Sequence, residues 1–469
     1  MKAHRLAYAQ FADTFTGRLN RRSFLGRAAT LGMGAAIAAL AQRSIRGTLA
    51  ATSDTLTIAY DQSILDRQSP IQEVNNDFAA DLRSNGMSLS AEGVPADQLS
   101  DASFAAAAKT HTSMWDAAIG VRPFVDMITL VETGAIEPWD HYLPTGVADD
   151  FIPSIRADGT YEEKLYIWPV LLDVIGQAWN MEQVKKAGLD PLTAPQTWDD
   201  FIANATKVKQ SGAAQYGATF DIRAWRSLLP MTHSISIDVY QPDTGLFMWN
   251  SDAAVQALEI MRRVYEVANP DLIKTTGSGP DDGVAETADV GAFVSQQAAY
   301  CIKDQHASSQ LINAWPDPTN LRLFPLPLAK AGVGGTAFWD TGAVLLTNGR
   351  NKQQAAEYLK ALTYDQRMWE GSLVPNSATD TAGGQLPIYE STWDGLKENP
   401  PEEVEEDPWA FATRDRLDQS RSIASTKLGI RQFEIAQPYY VAYLTGDEND
   451  AKRALTRAMD AVTNAYSAL

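Results

Sequence analysis

Across 469 residues the chain carries a single cysteine, Cys301. One thiol cannot close an intrachain disulfide, so no covalent staple is available to the fold even in an oxidising compartment. Cys301 sits in a strand-like run and reads as a small core residue rather than a nucleophile. Histidine is almost as scarce. Beyond the first fifty residues His111, His141, His233 and His306 are scattered without the spacing of metal ligands. Membrane-length apolar runs are missing as well: the one extended apolar stretch, Ala28–Ala41, is shorter than the roughly 20 residues that a spanning helix needs. Basic charge is in short supply. Past residue 50 there are 31 Lys and Arg against 57 Asp and Glu, a balance that disfavours nucleic acid and anionic membranes. Gly277-Ser278-Gly279 lacks the Gly-x-Ser-x-Gly of a nucleophile elbow. Abundant acids do not by themselves make the carboxylate pair of a glycosidase. No catalytic residue, metal or cofactor is expected, and a carbohydrate-active enzyme is the remote alternative.

What is present begins with a leader. A polar start with Lys2, Arg5 and Arg18 runs into Arg21-Arg22-Ser23-Phe24-Leu25; Ala28–Ala41 follows, and Thr48-Leu49-Ala50-Ala51 offers small residues for cleavage. That is the three-part pattern of a secretion signal. The arginine pair before Ser-Phe-Leu resembles the twin-arginine export signal, departing from its usual form at Asn20 and Gly26. With no cysteine at the cleavage site to carry a lipid, the mature protein is expected free in the periplasm rather than lipid-anchored.

About 420 residues then remain, too many for one hydrophobic core. Strand and helix patterns alternate along them, which predicts an α/β architecture. Asp54–Tyr60 places Leu56, Ile58 and Tyr60 on one face of a first strand, and Pro70–Leu82 is helical. An alanine-rich helix is read at about 101–109, a short strand at Ala117–Val121, and a helix at Pro123–Thr133 with Pro in its first turn and Gly134 past its end. Thr197 and Asp200 form a capping box opening a helix to about Lys209. Asp252–Ala268, Asn351–Leu362 and Glu448–Tyr466 are further helices, Ala298–Ile302 and Ala343–Thr347 further strands, and Pro401–Asp407 an acidic solvated loop.

One interval is denser in motif than the rest. It holds Lys164-Leu165-Tyr166-x-x-Pro169, Ala178-Trp179-Asn180-Met181, Lys186-Ala187-Gly188-Leu189-Asp190-Pro191, Thr197-Trp198-Asp199-Asp200-Phe201 and Tyr216-Gly217. Around it lie Gly134-Ala135-Ile136-Glu137-Pro138-Trp139-Asp140-His141-Tyr142-Leu143, the strand and loop of 297–309, Phe324-Pro325-Leu326-Pro327 and Leu386-Pro387-Ile388. In this order the segments resemble the extracellular solute-binding proteins of ABC importers, in particular the large carbohydrate-binding family that includes maltose-binding proteins. The resemblance implies a two-lobe periplasmic-binding-protein fold of type II, α/β in both lobes, with about three hinge crossings. Carried over segment by segment, it puts residues 51–166 in lobe one, 167–340 in lobe two, 341–385 back in lobe one and 386–469 in lobe two. It implies a monomer that takes a sugar or oligosaccharide between the lobes and delivers it to ABC-importer permease subunits. Within the same fold a charged solute is the alternative: a polyamine, a glycerophosphodiester or a sugar acid.

A sugar offers apolar C–H faces and a ring of hydroxyls, so its site needs aromatic platforms beside polar partners. The chain has 12 Trp, several next to charged or amide residues. Trp115, Trp225 with Arg226, and Trp249 are candidates on that ground, each with a packing role as the plainer alternative. Tyr60 and Asp61 end the first strand, where ligands of α/β folds gather. The resemblance points to Asp173 and to Trp339, Asp340 and Thr341 at a crossing. At Lys303, Asp304 and His306 this chain has charge and an imidazole where the family usually has Gly-Pro-Trp, which is the main departure and the ground for the charged alternative.

Overall fold

The computed structural model describes residues 54–469 apart from 68, 271 and 331 and stretches within 96–114, 273–287, 305–319, 370–385 and 401–408. The leader, most of the alanine-rich stretch, the acidic loop, His111 and His306 therefore lie outside the described residues.

The principal elements, in chain order, are β1 (Thr55–Asp61), α1 (Ser69–Ser84), β2 (Ser88–Val94), β3 (Ala117–Val121), α2 (Pro123–Glu132), β4 (Ile167–Asn180), α3 (Trp198–Ser211), β5 (Tyr216–Phe220), α4 (Asp252–Val267), β6 (Ala298–Asp304), β7 (Leu321–Pro325), β8 (Ala337–Leu346), α5 (Lys352–Tyr364), α6 (Glu390–Glu398), α7 (Trp409–Leu417), α8 (Arg431–Thr445) and α9 (Ala451–Tyr466). Local chemistry explains many of the boundaries. Pro123 supplies the fixed φ and missing N–H that suit a first turn, and Gly134, at φ 68°, accepts the left-handed geometry just past the end of α2. The box at the start of α3 forms in both directions: Asp200 N–H donates to Thr197 Oγ1 and Thr197 N–H to Asp200 Oδ2, each at 3.2 Å.

The sheet runs β2-β1-β3-β8-β4-β6-β5, with β7 also on β4. Two of its strands hold the sheet together. β4 is 14 residues long, buried everywhere except the half-buried Asp173, and extends about 45 Å. Its first half pairs with β8 and its second with β6 and β7. β8 in turn pairs β3 through residues 342–345. Neither strand shows the alternation by which β1 was found, because both faces are covered. For that reason β4 is absent from the sequence reading, and β8 begins at Ala337 rather than at Ala343. Their pairing slips where Leu171 faces Thr341 and Trp168 faces Ala343. Pro169, which cannot donate a ladder hydrogen bond, is thus accommodated in a bulge opposite Gly342.

Two large cores flank this pair. One gathers Ile58, Tyr60, Trp139, Trp168, Tyr358, Tyr389 and Trp393. The other gathers Trp179, Trp198, Phe220, Trp225, Phe247, Trp249, Tyr300, Phe433 and Tyr440. In the second half of β4 the two cores alternate along the strand, Val174 and Ala178 belonging to the first and Ile175 and Trp179 to the second. The segment from 386 also stays with the first core: Tyr389 stacks on Tyr364, ring centroids 3.8 Å apart, and Trp393 is buried beside it. Only from Ile423 onward does the chain join the second core, through α8 and α9.

Asp116 is the polar tie of the first half. It is 3% exposed, and its carboxylate accepts from the backbone N–H of Thr57 (2.9 Å), Arg350 (2.6 Å) and Asn351 (2.8 Å), joining β1, the entry to β3 and the entry to α5. Replacing it by Ala leaves three part-buried backbone donors without their acceptor. Asp116→Ala is expected to lower unfolding free energy by about 3 kcal/mol or more in urea titrations, with the slope unchanged.

Candidate ligand-binding cleft

Strand directions fix where a site can be. β1 and β3 are parallel, β8 is antiparallel to β3, β4 is antiparallel to β8, and β6 is antiparallel to β4 with β5 parallel to it. The C-terminal ends of β1 and β3 therefore point toward those of β5 and β6. The two sets meet beside residues 173–175 of β4 and 339–342 of β8. Ligands of α/β sheets lie beyond strand C-termini, and here two such edges face each other.

An aromatic group occupies this place. Trp225, in the short turn Ala224–Arg226 after β5, meets Trp339 of β8 edge-on at 5.1 Å. Phe124, in the first turn of α2, comes from the other half to touch Trp225 at 5.7 Å and Trp339 at 6.3 Å. The N-terminal end of α2 is held there by Gly429: a Cβ on it would lie 2.6 Å from the Val125 carbonyl oxygen, and its φ of 54° suits glycine. Charge lies against these rings. The Arg226 guanidinium sits 4.4 Å over the Trp225 ring centroid and Arg223 5.3 Å from it, a cation–π arrangement. Asp221 binds Arg223, Arg226 at 3.6 Å and Lys303 at 3.8 Å. Burial by itself would raise the Asp221 pKa, but Arg223, Lys303 and Arg226 reverse that and hold it at about 2. Across the crossing Arg122 Nε donates to Thr341 Oγ1 at 3.4 Å.

The expected contact residues divide accordingly. Trp225, Arg226, Lys303, Trp339 and Thr341 come together, with the half-buried Asp173 opposite Trp339 in register and the half-buried Asp61 at the end of β1. Asp304 closes β6 opposite Ile175, its side chain outside the description, as is His306. Four others lie apart from this group or turn away from it. Tyr60 is fully buried with its hydroxyl on that of Tyr358, because the alternation of β1 turns it toward α1 and α5. Trp115 precedes β3, at the strand end away from the cleft, and packs edge-on against Phe104 at 6.3 Å. Trp249 is buried between Phe247, Phe433 and Tyr440 in the second core. Asp340 is 0% exposed and turned into the crossing, where Oδ1 accepts the N–H of Val170 and of Leu171. Sequence reading missed Phe124, Arg122, Asp221 and Arg223. Their signal was positional, since each lies just past the C-terminal end of a strand, at 121 or 220.

The pattern of bacterial extracellular solute-binding proteins matches residues 85–366. A putative binding protein of Brucella abortus (strain 2308) is 24% identical over 328 residues, covering 68% of this chain and 72% of its own length. Among solved structures, the cyclic α-maltosyl-1,6-maltose binding protein from Arthrobacter globiformis superposes with a TM-score of 0.65 at 18% identity, over 87% of this chain and 98% of that one. A solute-binding protein of Thermotoga lettingae bound with α-D-tagatose gives 0.66 at 17% identity, over 87% and 99%. These are two-lobe binding proteins, and the likeness extends that architecture to this chain.

Asp221 offers a direct check on the charge cluster. With its pKa depressed, its share of stability is present above the ordinary carboxylate range and is lost as pH falls from about 4 toward 2. Asp221→Asn leaves three neighbouring cations without their shared carboxylate. It should cost about 3 kcal/mol at neutral pH and less near pH 2, read by urea unfolding at both.

Proposed function

The chain belongs to the bacterial extracellular solute-binding proteins, and from that membership we propose that it captures a carbohydrate between its lobes and hands it to the membrane subunits of an ABC importer. The observation that supports the reading is the aromatic group of Phe124, Trp225 and Trp339, three buried rings that meet from α2, the turn after β5 and β8. Aromatic faces suit sugar C–H surfaces, and Asp173, Arg226 and Lys303 beside them suit hydroxyls. The solved relatives with a maltosyl-maltose or a tagatose as ligand support the same class. Capture rather than turnover fits a site assembled from two strand edges that complete each other's contacts on closure. The leader of residues 1–50 is read as the export signal, by the twin-arginine route, with the mature protein a monomer in the periplasm.

A charged solute is the second reading, and one observation favours it: Arg223, Arg226 and Lys303 converge on Asp221 at the cleft, and Arg226 already covers a face of Trp225. Of the charged classes, those cations suit a sugar acid or a glycerophosphodiester better than a polyamine.

Thermal unfolding of the purified chain against tagatose, maltose, maltotriose, glucuronic acid, glycerophosphocholine and putrescine separates these readings. A ligand at 100 times its Kd stabilises by about 2.7 kcal/mol, a shift of a few degrees. Stabilisation by a neutral sugar is the expected outcome; response to the acids or the diester alone favours the second reading. For whichever probe binds, Trp225→Ala should weaken calorimetric affinity by about tenfold or more, an aromatic contact being worth 1 kcal/mol or somewhat above. Unaltered affinity would remove Trp225 from the site.

A further inference from the structure

Asp340 holds the crossing together. Its Oδ1 accepts the backbone N–H of Val170 at 3.0 Å and of Leu171 at 3.2 Å, at the bulge where the β4 ladder is interrupted. Its own N–H donates to Asp158 Oδ2 at 2.9 Å. Asp340 Oδ2 is equally buried and has no hydrogen-bond partner among the described residues. The space for it exists because residue 342 is glycine: a Cβ there would come within 2.4 Å of that oxygen. Asp158 ends the short helix Pro153–Asp158, is 4% exposed, and also receives a hydrogen bond from the Ser422 side chain. Two buried carboxyl groups from separate elements are thus joined through one N–H, beside the register slip between β4 and β8.

Their surroundings are short of compensating charge for two anions. Asp173 on β4 adds a third carboxylate to the field at Asp340. From the segment after α7 come Ser422 and Arg421, the latter lying over the Tyr240 ring at 4.8 Å. Tyr240 feels Asp158 and is hydrogen-bonded to His233 at 3.0 Å, while Arg122 approaches from the start of α2 as far as Thr341. Burial raises Asp158 to about 7 against the opposing hydrogen bonds from Asp340 N–H and Ser422. Burial, then Asp158, pushes the Asp340 carboxyl well above the usual carboxylate range, favouring its neutral form.

We propose that Asp340 and Asp158 form a proton-dependent clamp at the crossing, in which Asp340 is a positioning residue and ionisation of Asp158 loosens the relation between the lobes. The inference rests on the reading of the chain as a two-lobe receptor and is independent of the ligand's identity. With both acids neutral the crossing is dry and held. Once Asp158 is charged, an arrangement that admits water to the pair is favoured, since an ion gains most from solvation. The sign follows from the raised pKa. The neutral acid's contribution is intact below the unfolded carboxylate range and is lost as pH climbs toward about 7. Ligand is then held more firmly on the acidic side.

The test needs no ligand. Small-angle scattering and tryptophan fluorescence of the full chain are followed from about pH 5.5 to about pH 8.5, with a step centred within about one unit of neutrality expected in both. Asp158→Asn keeps an oxygen to accept the Asp340 N–H but cannot ionise, and should flatten both profiles. Ser422→Ala removes a hydrogen bond that favours the ionised form, and should move the step to higher pH. A flat profile in the unmodified chain, or the same step in Asp158→Asn, overturns the clamp. Should Asp158→Asn fail to fold, Ser422→Ala decides: a shifted step supports the clamp, and an unmoved one ends it. A clamp that fails in ligand-free protein leaves the sugar reading standing, and a failed sugar panel leaves the clamp standing.

Discussion

The antiparallel pair of β4 and β8 is the constraint on which the architecture depends. Both strands contribute side chains to both cores, Ile175, Trp179, Ala337 and Trp339 to one and Trp168, Val174, Phe338 and Ala343 to the other, so the two cores share one ladder. Any change in the relation of the lobes must be taken up by twist and bend within residues 173–175 and 339–342. The bulge at Gly342 opposite Pro169 is where the ladder is already broken, and it is the least costly place for that deformation. The neighbouring side chains then acquire distinct duties from strand geometry. Successive residues point to opposite faces, so Trp339 goes to the aromatic group of the cleft and Asp340 to the amides of β4.

The cleft inverts the character of the chain. An acid-rich protein gathers three cations around one carboxylate at the ends of β5 and β6, and packs two guanidinium groups near a Trp face. Removing that carboxylate would strand charges far from bulk water, which is why Asp221 is held ionised well below the ordinary range. Such a cluster fixes side-chain directions at the cleft before ligand arrives, and pre-set directions reduce the ordering cost of binding.

What could be read in advance was whatever local chemistry determines. β1 and β3 follow from alternation, α2 from Pro123 and Gly134, α3 from a box of four residues, and α4 from its apolar stripe; each lies within a residue or two of its expected place. β4 was illegible because burial on both faces removes alternation, and the first part of β8, before Ala343, was missed for the same reason. Among the tryptophans, adjacency to an acid carried no information about location. Trp115 is followed by Asp116 and Trp225 by Arg226, both charged, yet one Trp precedes its strand and the other follows its strand, where it meets Phe124 and Trp339. Asp116, beside Trp115, spends its carboxylate on backbone amides of three segments. Residue type announces an affinity for polar partners, while strand direction decides whether the partner is a ligand or the chain itself.

The proposed ligand contact and the proposed clamp are neighbours in the chain. Trp339 and Asp340 share a peptide unit, one touching Trp225 and Phe124 and the other holding Val170, Leu171 and Asp158. A ring that shifts to accept a ligand rotates the same strand segment whose carboxyl group bridges the bulge. Coupling between filling the cleft and setting the crossing therefore requires no extended relay of residues, only the stiffness of one strand over one residue. The partner ring Phe124 makes the arrangement reciprocal. It stands on α2, whose start is packed against Gly429 and whose end is tied by Glu132 to Lys427, so a movement of α2 away from that segment withdraws a wall of the site. On the proposed reading, opening at the crossing and disassembly of the aromatic group would be one motion described from two ends.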